Sequence, residues 1–248
     1  MKIWLLPCFL GILAILSANL VFFISVIEGH VETCFPYFEG CASISASGRH
    51  GLAAILFKLT ILPVMTLLTI YWLISWNYLN KITSVSTVQN KFMLITGVIG
   101  SLFGILYSAF LGSEGDVYQL LRRFGIYIFF LGTFIAQILE TRQLLSSKEF
   151  ERLNSLKGMK FTTLLIGVFI LASTPSYGFI ENDDWFENVL EWNISFLLFF
   201  YFIASSLLWK KKEIKIDLLF NKSKSRKTLY SVRCSLKIRY LKLLVSTK

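Results

Sequence analysis

Apolar residues fall along this chain in long unbroken blocks separated by short polar stretches, with no alternation of apolar and polar positions. The blocks cover residues 3–27, 52–76, 92–111, 125–139, 161–180 and 193–209. A helix needs about 20 apolar residues to cross the hydrocarbon of a bilayer, and in lipid a backbone must satisfy its own hydrogen bonds. The pattern predicts an all-α, polytopic membrane protein. Residues 1–209 form a six-transmembrane-helix bundle, and residues 210–248 follow as a tail. The blocks 125–139 and 193–209 are short, so each needs a polar flank buried in protein or a thin bilayer. The first block continues nine residues beyond Leu16-Ser17-Ala18, the nearest approach to a cleavage site. That length suits an uncleaved first span better than a signal peptide.

Composition sharpens the class. The chain has 248 residues, of which 55% are hydrophobic and 16% charged, and its mean hydropathy is +0.63. Soluble domains carry about 25% charged residues. A cytosolic enzyme, a disordered chain and a disulfide-dense secreted domain are therefore excluded. The net charge of +10 does not indicate nucleic acid, because the basic residues crowd into the tail and offer no folded platform.

Charge also predicts orientation. The connections 28–50, 112–124 and 181–192 carry most of the acids, including Glu28, Glu32, Glu114, Asp183, Asp184 and Glu191. The connections 77–91 and 140–160 and the tail are net basic, and the tail has thirteen Lys and Arg against Glu213 and Asp217. Basic residues favour the cytoplasmic side, so both termini are expected in the cytoplasm.

Few residues carry chemistry. Cys34 and Cys41 lie in one extracytoplasmic connection, where a disulfide is favoured over two free thiols. Cys8 and Cys234 are too far away to build a redox relay with them. His30 and His50 amount to half a metal site, and nothing at metal-binding spacing completes it. No metal and no cofactor are expected. Ser45, His50 and Glu191 offer the residue types of a hydrolase, but no nucleophile elbow accompanies them. No catalytic residue is assigned.

Lys58 is the basic residue well inside a block, and an isolated charge there costs roughly 2.5 kcal/mol or more. It either meets a lipid phosphate or an outer carboxylate, or it snorkels to the interface. Arg122 and Arg123 open the fourth span, where they suit an anion such as a lipid phosphate. Alternatively they pair with Asp116 or Glu191 and fasten the connections. Asn19, Lys58 and Thr174 are expected to face inward. Trp185, Phe186 and Trp192 fit an interfacial aromatic belt. In the tail, Leu229, Val232, Leu236, Tyr240, Leu243 and Leu244 recur at steps of three and four among basic residues. This describes either an amphipathic helix on the anionic cytoplasmic leaflet or a disordered basic tail.

Two short motifs carry a resemblance. Ile44-Ser45-Ala46-Ser47-Gly48 precedes the second span, and Glu191-Trp192 opens the last one ahead of Phe196, Phe199 and Phe200. With six spans and both ends inside, the chain resembles the damage-regulated autophagy modulator (DRAM) family. That family also includes the fibroblast-growth-factor-receptor-activating proteins and the GPI post-attachment lipid remodelling factors. The resemblance covers residues 1–209. It departs where the family often has Pro before its Ile-Ser and an acid after, since Ser43 and Ala46 stand there. It also departs near the start of the fourth span, where Tyr118, Arg122 and Arg123 occupy the neighbourhood of a frequent His.

The resemblance implies a role in lipid homeostasis, of the autophagy or GPI-remodelling type, in an endomembrane or the plasma membrane. The expected partners are membrane lipids, with Ser45, Gly48, Lys58, Arg122, Arg123, Glu191 and Trp192 as headgroup or loop-cap residues. The alternatives are an intramembrane lipid hydrolase or acyltransferase acting through Ser45 and His50, and a small transporter. Lys58 and Pro63 in the second block are the features that bear on a transporter, and inverted repeats are not found.

Overall fold

The computed structural model describes residues 2–82, 87–147, 150, 153–173, 184–211, 217–220 and 232–235. Helix α1 (Leu5–Ile27) is followed by two single turns, α2 (Pro36–Glu39) and α3 (Ile44–Ser47). The long helices α4 (Gly51–Ile82), α5 (Thr87–Phe110), α6 (Asp116–Leu145), α7 (Asn154–Ser173) and α8 (Asp184–Lys211) come next. Six of these, α1 and α4 to α8, are long and apolar enough to cross a membrane. Expected and observed spans agree in number and order. In the tail, β1 (Asp217–Phe220) pairs antiparallel with β2 (Val232–Ser235), with Asp217 opposite Ser235. The rest of the stretch expected as an amphipathic surface helix lies outside the described residues, and so does Thr174.

The six long helices form a closed ring in chain order, each packed on the next, with α8 returning to α1. Both ends of the ring therefore meet, and the Lys210 ammonium sits 5.0 Å from the centre of the Trp4 ring. The end of the bundle opposite the start of α1 and the end of α8, with α2 and α3, is called the loop end below. The bundle interior is filled by large side chains such as Leu68, Tyr71, Trp72, Phe202 and Trp209, with Tyr71 stacked on Trp209 at 5.1 Å. Outside, Leu16, Phe23, Leu59, Leu131 and Leu171 stay uncovered. An apolar exterior of this extent marks a surface that meets lipid.

Where two spans approach most closely, glycine makes it possible. A Cβ on Gly132 of α6 would stand 2.8 Å from the Thr96 carbonyl oxygen of α5, and one on Gly100 would stand 3.0 Å from the Thr133 amide nitrogen. Membrane helices lack a hydrophobic drive toward one another, so small residues and close packing supply the association instead.

Two expected boundaries move. The short fourth block belongs to a helix that runs on to Leu145, and the short sixth belongs to one that starts at Asp184. In α6 the polar residues that end the apolar block, Glu140, Thr141 and Gln143, are buried in the bundle. Glu140 was expected in the connection 140–160. It instead lies inside the helical bundle at 1% exposure.

Candidate functional site at the loop end

The connection between α1 and α4 is folded into a cap. Cys34 and Cys41 are joined by a disulfide, with Cα atoms 6.4 Å apart, and this closes the chain around α2. Gly40 ends α2 at φ 54°, a left-handed turn that favours glycine, and its position leaves no room beside the Trp185 carbonyl of α8. Ser43 caps α3 by accepting a hydrogen bond from the Ala46 amide at 2.9 Å. The helix α8 then holds the cap from beneath. The Asn188 amide donates to the Gly40 carbonyl at 2.8 Å, Trp192 Nε1 to the Ala42 carbonyl at 2.8 Å, and the Asn193 amide to the Tyr37 carbonyl at 2.9 Å. Asn19 of α1 donates to the Tyr37 hydroxyl at 2.9 Å. Burial raises the Tyr37 phenol above its ordinary pKa, and the Asn19 hydrogen bond offsets part of that.

Beneath the cap, the expected site residues separate into groups. Ser45, Arg122, Arg123 and Glu191 line one cavity of about 260 Å³. Arg49, Tyr107, Leu111, Gln119 and Ile126 complete it. The Glu191 carboxylate faces the backbone amides of Ile44 and Ser45 at the start of α3. Arg122 donates to the Ser113 carbonyl at 2.9 Å, which anchors the α5–α6 turn. Among the described residues, neither Arg122 nor Arg123 forms an ion pair with Asp116 or Glu191. Among the described residues the guanidinium of Arg123 has no carboxylate partner.

The other expected residues have different surroundings. Gly48 is buried where a Cβ would meet the Phe57 ring at 3.0 Å, so it lets the cap settle on α4. Trp192 is buried against Phe22 and Tyr37 with its N–H turned to Ala42. Lys58 is half-buried on α4 and does not line the cavity. Asn19, expected to face inward, sits at the bundle surface with its amide turned to the cap. His50 faces His30, with ring centres 5.4 Å apart, and His30 lies 3.7 Å from the Glu28 carboxylate. The described residues contain no cluster of three or more His, Cys, Asp or Glu that could hold a metal ion. Ser45 Oγ is 3.0 Å from Ser43 Oγ, and among the described residues it has no hydrogen bond to His50.

Two further observations define the cavity. The Tyr107 hydroxyl is buried and has no hydrogen-bond partner among the described residues, although the cavity touches this residue. An unpaired buried hydroxyl costs roughly 1–3 kcal/mol. Ile126 and Glu191 also border an apolar groove of about 420 Å³, which runs between α6, α7 and α8 along Tyr127, Leu131, Ile166 and Ile194. The polar cavity and the apolar groove therefore share a rim. Sequence reasoning missed Arg49, Gln119 and Tyr107, whose only signals were a loop charge, a helix-start amide and an aromatic near the end of a span.

A family model for the Frag1/DRAM/Sfk1/Cwh43P N-terminal domain matches residues 2–209. The chain belongs to that family. The match stops within the last turn of α8, so the tail lies beyond it. No curated protein and no solved structure matches the chain significantly.

Proposed function

We propose that this multi-pass membrane protein serves lipid homeostasis without catalysing a reaction, by holding the anionic headgroup of a membrane lipid in its loop-end cavity. One observation supports the reading above the others. Arg49, Arg122 and Arg123 line one cavity with Tyr107, whose hydroxyl has no partner among the described residues, and the cavity shares Ile126 and Glu191 with an apolar groove. Guanidinium groups bind phosphate through paired, charge-assisted hydrogen bonds. A headgroup there would satisfy Tyr107, and its acyl chain would follow the groove past Ile126. Glu191 would keep α3 in place as one wall and supply an acceptor for a headgroup hydroxyl or amine. The cap is extracytoplasmic in this reading, and the Trp192, Asn188 and Asn193 hydrogen bonds keep it rigid. An autophagy-type or GPI-remodelling role is the family context within which such binding would operate.

The test is mass spectrometry of lipids retained by the detergent-purified full chain. The wild type is expected to enrich an anionic phospholipid over the membrane it came from. The Arg122→Ala/Arg123→Ala variant is expected to lose that enrichment about tenfold, since one charge-assisted hydrogen bond contributes about 1.5–3 kcal/mol. Lys58→Ala, outside the cavity, should leave it unchanged. Equal enrichment in wild type and double variant overturns the reading.

A further inference from the structure

A second polar cluster lies toward the other end of the bundle, where α4, α6 and α8 meet. Its centre is Glu140, at 1% exposure. Tyr71 donates to both oxygens of this carboxylate, at 2.8 and 2.9 Å. Ser75, one turn along α4, donates to Oε1. From α8 the Tyr201 hydroxyl approaches Oε2 at 3.0 Å. Around these stand Ser205, 2.8 Å from the Tyr71 oxygen, and Thr141, 3.1 Å from the Tyr201 oxygen. Tyr201 lies roughly 14 Å along α8 from Lys210, and Glu140 lies about 8 Å along α6 from Leu145 at its end, so the cluster sits within the bundle toward that end.

The groups facing Glu140 are hydroxyls. Tyr71 of α4 and Tyr201 of α8 are the ionisable ones among them. No ionisable group of α1, α5 or α7 is among its hydrogen-bond partners in the described residues. Arg142 of α6 and Lys210 of α8 are exposed, and no side-chain cation pairs with Glu140 among the described residues. A carboxylate buried in a membrane bundle without a countercharge is expensive, and such groups mark ion or proton sites. One carboxylate among neutral hydroxyls balances a single positive charge. Divalent ions take several charged oxygens.

Counting hydroxyl protons decides which charge fits. With Glu140 ionised, Tyr71, Ser75 and Tyr201 each give their one proton to it, Ser205 gives its proton to Tyr71, and Thr141 to Tyr201. Every donor is then used. If Glu140 gains a proton, it becomes a donor and one hydroxyl must turn away. Tyr201 has somewhere to turn, because its oxygen also lies 3.2 Å from the backbone carbonyl of Gln137. The Glu140 carboxyl would then donate to the Tyr201 oxygen, and Tyr201 would donate to Gln137. Both states leave every hydroxyl proton placed, with no movement of a helix.

From this geometry we infer that Glu140 is a reversible proton-binding site inside the bundle, with Tyr201 as the hydroxyl that switches acceptor when the proton arrives. The proton comes from the aqueous phase and returns to it. Nothing else in the cluster changes charge.

Infrared difference spectroscopy of the full chain in lipid nanodiscs, titrated from alkaline to acid pH, tests this. The wild type is expected to gain a carboxylic-acid C=O band that Glu140→Gln lacks. In Tyr201→Phe, which keeps the ring but removes one donor to the anion, the transition should move to more alkaline pH by about one unit. Repeating the titration in sodium and in choline salts separates a proton from a metal cation. A sodium-dependent shift of the wild-type band overturns the proposal in favour of a sodium site. So does a band that is unchanged by pH, or one that survives in Glu140→Gln. Lipid retention is not part of this readout, so its outcome is separable from the headgroup reading.

Discussion

At the residue scale, the positions that matter most are polar side chains that lose water and find a partner. Trp192 was expected in an interfacial belt, but its indole N–H donates to the Ala42 carbonyl under the cap while its ring packs on Phe22 and Tyr37. Trp192→Phe should retain most of the packing and leave that carbonyl unpaired, for a loss of about 1–3 kcal/mol. A lower melting temperature of the purified protein, with helical content intact, is the expected result. Arg123 presents the opposite situation, a guanidinium lining a cavity without a carboxylate partner among the described residues. That makes it available to a ligand, and the residue therefore belongs to binding more than to stability. Glu140 shows why residue type alone misleads. Its charge placed it in a connection, whereas three hydroxyls make it tolerable inside the bundle.

At the scale of elements, the two faces of each helix follow different rules. The lipid face needs only apolar side chains, and this is what produces the long blocks. The inner face accepts polar groups wherever a neighbouring helix completes their hydrogen bonds. Gln137 of α6, for example, donates to the Leu198 carbonyl of α8 at 2.8 Å. Helices α6 and α8 therefore outrun their apolar blocks. The α5–α6 seam depends on a third property, the absence of a side chain. Gly132→Val would drive a branched side chain against the Thr96 carbonyl and the Gly100 backbone. Overpacking of this kind costs about 1–3 kcal/mol. Thermal unfolding in detergent should show the loss, while the equivalent change at Gly29, which has nothing within 4 Å, tests the left-handed backbone at φ 73° instead of packing.

For the whole molecule, the ring closes so that the start of α1 and the end of α8 share one end, and the charge distribution is expected to place that end in the cytoplasm. Single-cysteine labelling with an impermeant reagent on intact cells checks this. Glu114→Cys should be labelled from outside and Lys211→Cys only after permeabilisation. The reverse pattern would invert the orientation and put the headgroup cavity on the cytoplasmic side. The number, order and helical nature of the spans were legible in the sequence because they are set by one-dimensional quantities. Those quantities are the length of an apolar run against the thickness of hydrocarbon, and the need to satisfy every backbone group in it. Of the residues singled out in the sequence, Ser45, Arg122, Arg123 and Glu191 line one cavity. The rest was decided by tertiary structure. Arg49, Tyr107 and Gln119 reach that cavity from three separate segments, and Glu140 finds Tyr71, Ser75 and Tyr201 only when α4, α6 and α8 converge. Whether a buried polar group is a penalty or a site depends on which partner the fold brings within hydrogen-bond distance, and spacing along a chain does not contain that distance.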